Sequence, residues 1–202
     1  MNINIRLEVE KDYEEVENLT REAFWDMYQP GCDEHLLAHK LRNVSAFIPE
    51  LDFVAELDGQ IVGNILYSKA IITSEKGEEH EVVTFGPLSV LPSHQKTGIG
   101  SKLIKYTIEL AKAMGYKAVV IFGNPAYYHR FGFVNAEEFH ITTSDGGNFD
   151  AFMVLELFEG ALRGISGRFH EDAVFQIDNA ELEDFEKKFP YKEKHITDTQ
   201  FR

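Results

Sequence analysis

Residues 81–123 constrain the fold more than any other part of the chain. A strand-like run, EVVTFGPLSV, leads into the loop LPSHQKTGIG. Residues 101–114 follow with apolar Leu103, Ile104, Ile108, Ala111 and Met114 at helical spacing, and Gly115 stops the pattern. The short, almost unbroken apolar run KAVVIFG closes the segment, as expected of a buried central strand. Strand, helix and strand in that order predict a β-α-β unit at the middle of a sheet.

The flanks fit an α+β domain around that unit. INIRLEV predicts a first strand. Residues 12–24 predict a helix with Val16, Leu19 and Ala23 on one face, opened by Asp12 with Glu15 three residues on, a capping-box pattern. Pro30-Gly31 breaks the chain before a second helix over 34–43. LDFVAEL, the turn Asp58-Gly59 and QIVGNILYSKAII predict a tight hairpin, and Lys76-Gly77 a further turn before the 81–90 strand. Asn124-Pro125 has the form of a helix cap with proline in the first turn. Strand-like pieces recur at 139–143 and 151–157, and the charged end, DNAELEDFEKKFPYKEKHITDTQFR, predicts a surface helix with a tail. The expected fold is a mostly antiparallel mixed central sheet with flanking helices.

With 202 residues, 44% of them hydrophobic, the chain can bury a substantial core. A net charge of −14 argues against nucleic acid, which requires a basic footprint, and equally against an anionic membrane surface. That charge serves solubility, or draws in a cationic substrate such as an amine. No apolar run is long enough to span a bilayer, MNINIRLEVE lacks the marks of a signal peptide, and a single cysteine, Cys32, excludes an internal disulfide framework. A cytoplasmic location is expected.

Gly98 and Gly100 open the 101–114 helix directly after a strand. A helix N-terminus leaves its first amides unpaired and carries a partial positive charge, so glycines there suit a phosphate cradle. They equally suit a loop that needs glycine only for its backbone angles. Two familiar phosphate motifs fail: Gly100-Ser101-Lys102 has the P-loop residues in the wrong order, and Leu103 stands where a dinucleotide fingerprint needs its third glycine.

LSVLPSHQKTGIGSKLI, with Gln95, Gly98 and Gly100 in a Gln-x-x-Gly-x-Gly unit, resembles the acetyl-CoA-binding motif of the GCN5-related N-acetyltransferases. IRLEVEKDYEEVENLTREAF resembles that family's opening and FGNPAYYHRFGFV its later motif, and NPAYYHRFGF with DAFMVLEL is closest to the small YhbS-like branch. The resemblance runs from about residue 3 to about residue 157. It implies the acyl-CoA N-acyltransferase fold over residues 1–160, with 161–202 as an extension packed on or appended to it, the chain being a monomer or homodimer. It also implies acetyl transfer from acetyl-CoA to a primary amine, on a small molecule or a protein, by direct attack in a ternary complex, without a metal. A non-catalytic CoA-binding or regulatory module of the same fold is the alternative. Carried onto this chain, the resemblance gives backbone contacts with the pantetheine arm to Leu88, Ser89 and Val90. It gives pyrophosphate contacts to Gln95, Lys96, Thr97, Gly98, Ile99, Gly100 and Ser101. Tyr128, five residues before Phe133, takes the role of general acid, since a phenol holds its proton at neutral pH. Asn124 binds the arm or caps the helix.

The general base stays open among Glu79, Glu81, Glu34 and His35. Direct attack needs no covalent nucleophile, so Cys32 reads as a passive thiol without an evident partner. His35 and His39 have a metal-compatible spacing, but HLLAH lacks the glutamate of His-Glu-x-x-His and suggests no third ligand.

Overall fold

In the computed structural model, which describes residues 3–198 and 200, the chain forms nine strands and five helices among the described residues. β1 (Asn4–Leu7) precedes α1 (Tyr13–Phe24) and α2 (Glu34–Leu41). β2 (Phe53–Leu57), β3 (Gln60–Thr73) and β4 (Glu79–Val90) follow, then α3 (Ile99–Ala113), β5 (Ala118–Phe122) and the single turn α4 (Pro125–Tyr128). β6 (Val134–Asn135), β7 (Ile141–Thr142), β8 (Phe152–Glu156), β9 (Gly167–His170) and α5 (Asn179–Glu186) complete it. No helix among the described residues is long and apolar enough to cross a membrane.

The chain divides into two compact units, and β3, β4 and α3 contribute residues to both. The first comprises the described parts of Met1–Leu66, Gly86–Ile104 and Ala173–Arg202. In it β1, β2 and the start of β3 pair antiparallel, with Asn4 opposite Glu56 and Phe53 opposite Ile65. Asp58 and Gly59 turn the hairpin with φ of 52° and 85°, the primed-turn geometry that matches strand twist. Val16 and Leu19 of α1 bury against Val54 and Ile61, while Ala38 and Leu41 of α2 bury with Leu66 and Val174.

Charge organises the same unit. Arg42 is nearly buried and bridges Glu8 at 2.7 Å and Glu17 at 2.8 Å. The tail after α5 lies along α1: Trp25 Nε1 donates to the Glu193 carbonyl at 2.9 Å, Arg21 donates to the Pro190 carbonyl at 3.1 Å, and Lys192 pairs with Glu22. The capping box expected at Asp12 does not form. Arg6 holds the Asp12 carboxylate through two hydrogen bonds, which also keep its pKa below the ordinary value, and the Val9 amide donates to it. Glu15 reaches away to accept the Ile61 amide at 3.0 Å.

The second unit comprises Tyr67–Phe85 and Lys105–Asp172. β4 and β5 run parallel, in register at Val83 and Val119, which is the expected crossover pair. β5 pairs β8 and β8 pairs β6, both antiparallel, and β9 lies antiparallel to the end of β3 and parallel to β7. The mixed, mostly antiparallel sheet of the sequence reading is therefore present. Ala70, Ile72, Val82, Ala118, Val120, Phe152, Val154 and Phe169 share one core. Leu162, Ile165 and Phe169 belong to that core, so this part of the 158–170 stretch packs as interior. The strand expected at 139–143 begins later, at Ile141, because the Asn135 side chain accepts the Glu137 amide and starts a 3-10 turn over Ala136–Phe139.

Candidate active site

In the first unit, β4 ends with alternating burial: Pro87 and Ser89 are buried, Leu88 and Val90 half-buried. The Ser89 hydroxyl donates to Thr20 Oγ1 at 3.1 Å, and Thr20 in turn lies 3.4 Å from Asn64 Oδ1, a fully interior chain of polar groups. Ser89 is thus an anchor through its side chain, and any ligand contact it makes falls to its backbone.

Past Leu91 the loop is cross-tied. Gln95 Nε2 donates to the Val90 carbonyl at 3.2 Å and Thr97 Oγ1 to the His94 carbonyl at 2.5 Å. Lys96 and Gly98 both take left-handed backbone angles, φ 62° and 91°. The first helical bond of α3 runs from the Lys102 amide to the Gly98 carbonyl at 3.0 Å, so the amides of Ile99, Gly100 and Ser101 stand ahead of it. α3 begins at Ile99, two residues earlier than its apolar pattern suggests, which brings Gly100 into the helix's first turn. Residues Gln95, Lys96, Thr97 and Gly98 are exposed, whereas Ile99 and Gly100 are buried. Left-handed turns leading into a helix N-terminus aim backbone amides at one concave spot that favours an anion. A diphosphate fits that donor set.

A residue the sequence reading passed over seats this cradle. A Cβ on Gly63 would lie 3.0 Å from the Ser89 carbonyl oxygen and 3.0 Å from Ile99 Cγ2. Gly63 therefore lets β3 lie against the strand end and the first helical residue. The only sequence signal was an isolated glycine within a strand pattern, QIVGNIL, which marks close backbone approach.

In the second unit, Asn124 accepts the Ala126 amide at 3.0 Å through Oδ1, and its carbonyl accepts the amides of Tyr127 and Tyr128. It caps α4, with Pro125 at the first helical position. The cap holds Tyr128, half-buried, in an aromatic nest: its ring centroid is 5.0 Å from Tyr127, 5.7 Å from Phe133, 5.9 Å from Phe85 and 6.5 Å from Phe131. Gly132, with φ 92°, turns the chain so that Phe133 comes back beneath the ring.

The four base candidates separate by environment. Glu79 and Glu81 are exposed, and Glu81 pairs with Lys69 at 3.3 Å. His35 is fully buried, its Nε2 lies 2.9 Å from Glu186, and burial lowers its pKa. Glu34 is half-buried, and burial, seconded by the Asp33 charge, pushes its carboxyl up to about 7. The expected lack of a partner for Cys32 is corrected here: its Sγ lies 3.5 Å from His35 Nδ1. A thiol, an imidazole and a carboxylate thus stand in line, but burial pushes the Cys32 thiol up, away from thiolate chemistry. His39 pairs with Glu17 at 2.9 Å, so the two histidines of HLLAH serve different carboxylates. Among the described residues no group of three or more His, Cys, Asp or Glu side chains is placed to hold a metal.

Comparison with known proteins bears on both motifs. A family model described as an acetyltransferase (GNAT) domain matches residues 50–135, which contain the glycine loop and Tyr128. The chain is 32% identical over 170 residues to the uncharacterized N-acetyltransferase YhbS of Escherichia coli K12, covering 83% of this chain and 96% of the relative. The crystal structure of Escherichia coli YhbS in complex with CoA is similar with a TM-score of 0.77 and 30% identity, covering 87% of this chain and 92% of the other. A GNAT family acetyltransferase from Brucella melitensis, in complex with acetyl-CoA, is similar with a TM-score of 0.68 and 29% identity, covering 87% and 99%.

Proposed function

Since the chain belongs to the GNAT acetyltransferase family, we propose that it transfers an acetyl group from acetyl-CoA to a primary amine by direct attack in a ternary complex. The observation that carries this reading is the loop geometry, in which left-handed Lys96 and Gly98 lead into the amides of Ile99, Gly100 and Ser101 ahead of the first helical bond. Those amides, with Gln95, Lys96 and Thr97, would hold the pyrophosphate, and Lys96 adds positive charge in an otherwise acidic protein. The backbone of Leu88, Ser89 and Val90 would pair with the pantetheine arm as an added strand. Asn124 keeps its cap and leaves its Nδ2 for the arm.

Acetyl-CoA supplies an activated acyl group. The amine nitrogen forms the new C–N bond as the C–S bond breaks, a backbone amide near Leu88, Ser89 or Val90 stabilises the oxyanion, and the ammonium proton leaves through a base. Tyr128 O–H donates its proton to the departing sulfur. Glu34, with its carboxyl held near 7, is suited to accept a proton at neutral pH. The acceptor is a primary amine of a small molecule or a protein.

Two measurements test the reading. Acetyl-CoA and free CoA should each raise the melting midpoint, by about 2.7 kcal/mol of stabilisation at a hundredfold excess over Kd, while ATP and NAD should not. Tyr128→Phe should keep that CoA response and lose turnover. Stabilisation by ATP or NAD instead of CoA refutes the cradle's assignment. CoA binding with no turnover across small-molecule and peptide amines supports the non-catalytic module.

A further inference from the structure

We infer that Gly123 is a positioning residue for Tyr128: it has no side chain because the Cδ2–Cε2 edge of the phenol ring occupies the place where a Cβ would stand. This rests on the reading of Tyr128 as the proton donor. An ideal Cβ on Gly123 would fall 2.6 Å from Tyr128 Cδ2, closer still to Cε2, and 3.3 Å from Cζ. Every one of these atoms belongs to the same ring. Gly123 shows no positive φ, so backbone angles do not require glycine there and the ring contact does.

The ring is hemmed in against swinging aside. Tyr127, Phe85, Phe133 and Phe131 hold its other sides. Phe85 is itself held by Tyr67, whose buried hydroxyl is 3.0 Å from Thr107 Oγ1. The Gly123 amide is fixed as well, donating to the Ala151 carbonyl at 2.8 Å. Ordinary contact begins near 3.4 Å, so any side chain at 123 must drive the ring out by about 1 Å. A displacement of that size costs on the order of 100-fold in a reaction that depends on a placed proton donor.

The test uses the full chain labelled with 3-fluorotyrosine, the Tyr128 resonance being identified by its loss in Tyr128→Phe. Gly123→Ala should shift that resonance, leave the Kd for CoA within about twofold, and lower turnover about 100-fold with a mixture of spermidine, phenethylamine and a lysine peptide. On a Tyr128→Phe background the same change should cost nothing further, which a general weakening of the fold would not produce. If Gly123→Ala fails to fold, Gly123→Ala with Tyr128→Ala should restore folding, because the obstructing ring is gone. An unmoved resonance, or a full additional loss on the Tyr128→Phe background, overturns the inference. Undiminished turnover in Tyr128→Phe alone would instead overturn the acid role, while the resonance still reports whether Gly123 sets the ring.

Discussion

Replacing Gly98 with alanine adds one methyl group to open space, since nothing lies within 4 Å of where it would point. Sterics with neighbours therefore contribute nothing, and the whole effect comes from φ at 91°. An L-residue in the left-handed region costs about 1–2 kcal/mol. If the loop keeps its shape, that cost appears as lost stability. If the loop relaxes to negative φ in the free protein, the cost returns when CoA binds, and the Kd rises about 5- to 30-fold for the same 1–2 kcal/mol. Either way the CoA-bound state of Gly98→Ala should lose about 1–2 kcal/mol in total relative to the parent. Urea unfolding without ligand, combined with calorimetric titration of CoA, measures the two parts separately. Gly98→Asn should fall between glycine and alanine, because asparagine enters the left-handed region more readily. Two parts that sum to nothing for alanine, or asparagine as the worse substitution, would rule out left-handed strain at Gly98 as the cause.

Gly63→Val should destabilise by roughly 1–3 kcal/mol through overpacking against Ser89 and Ile99 and should also weaken CoA binding, read from urea midpoints and titration; intact affinity would separate Gly63 from the cradle. Arg42→Ala leaves Glu8 and Glu17 without their shared cation in a buried setting and should cost about 3–5 kcal/mol in urea unfolding, a loss under 1 kcal/mol contradicting the reading. Burial, then Glu8, raises the Asp52 carboxyl far above its ordinary range, so the folded state holds a proton that the unfolded chain gives up. The stability this contributes is complete below the unfolded value of 3.8 and is lost as pH rises, by up to about 1.4 kcal/mol per unit. Asp52→Asn should flatten that fall between pH 5 and 8, and an unchanged slope would argue against a proton held there.

Much of the fold was legible because its rules act between near neighbours in sequence. The Asp58-Gly59 turn, the apolar face of α3 and the Asn124-Pro125 cap each depend on residues a few positions apart, and each is found where its pattern stands, except that Met114, expected on that face, lies past the end of α3 and is exposed. The glycine loop was legible for the same reason, although its left-handed positions are Lys96 and Gly98, with Gly100 inside the helix. Asp12 shows the limit of that logic. Its capping pattern is intact in sequence, but Arg6 offers a charged partner that outcompetes a neutral helix amide, and Glu15 is drawn to a β3 amide 46 positions away.

The sequence by itself determined the order of elements from β1 to α4, with β8 and α5, because periodicity and turn chemistry are properties of short windows; the short strands β6 and β9 carried no such pattern. Tertiary structure alone decided the rest. It brought Glu186 to His35 and Arg21, and pressed Ser89 and Ile99 onto Gly63. It also laid the Tyr128 ring on Gly123, five positions back, by packing Phe85 and Phe133 against its other sides. Such contacts are set by which surfaces remain when the core closes, and close approach between distant backbones leaves no mark in a sequence beyond a glycine whose reason is elsewhere.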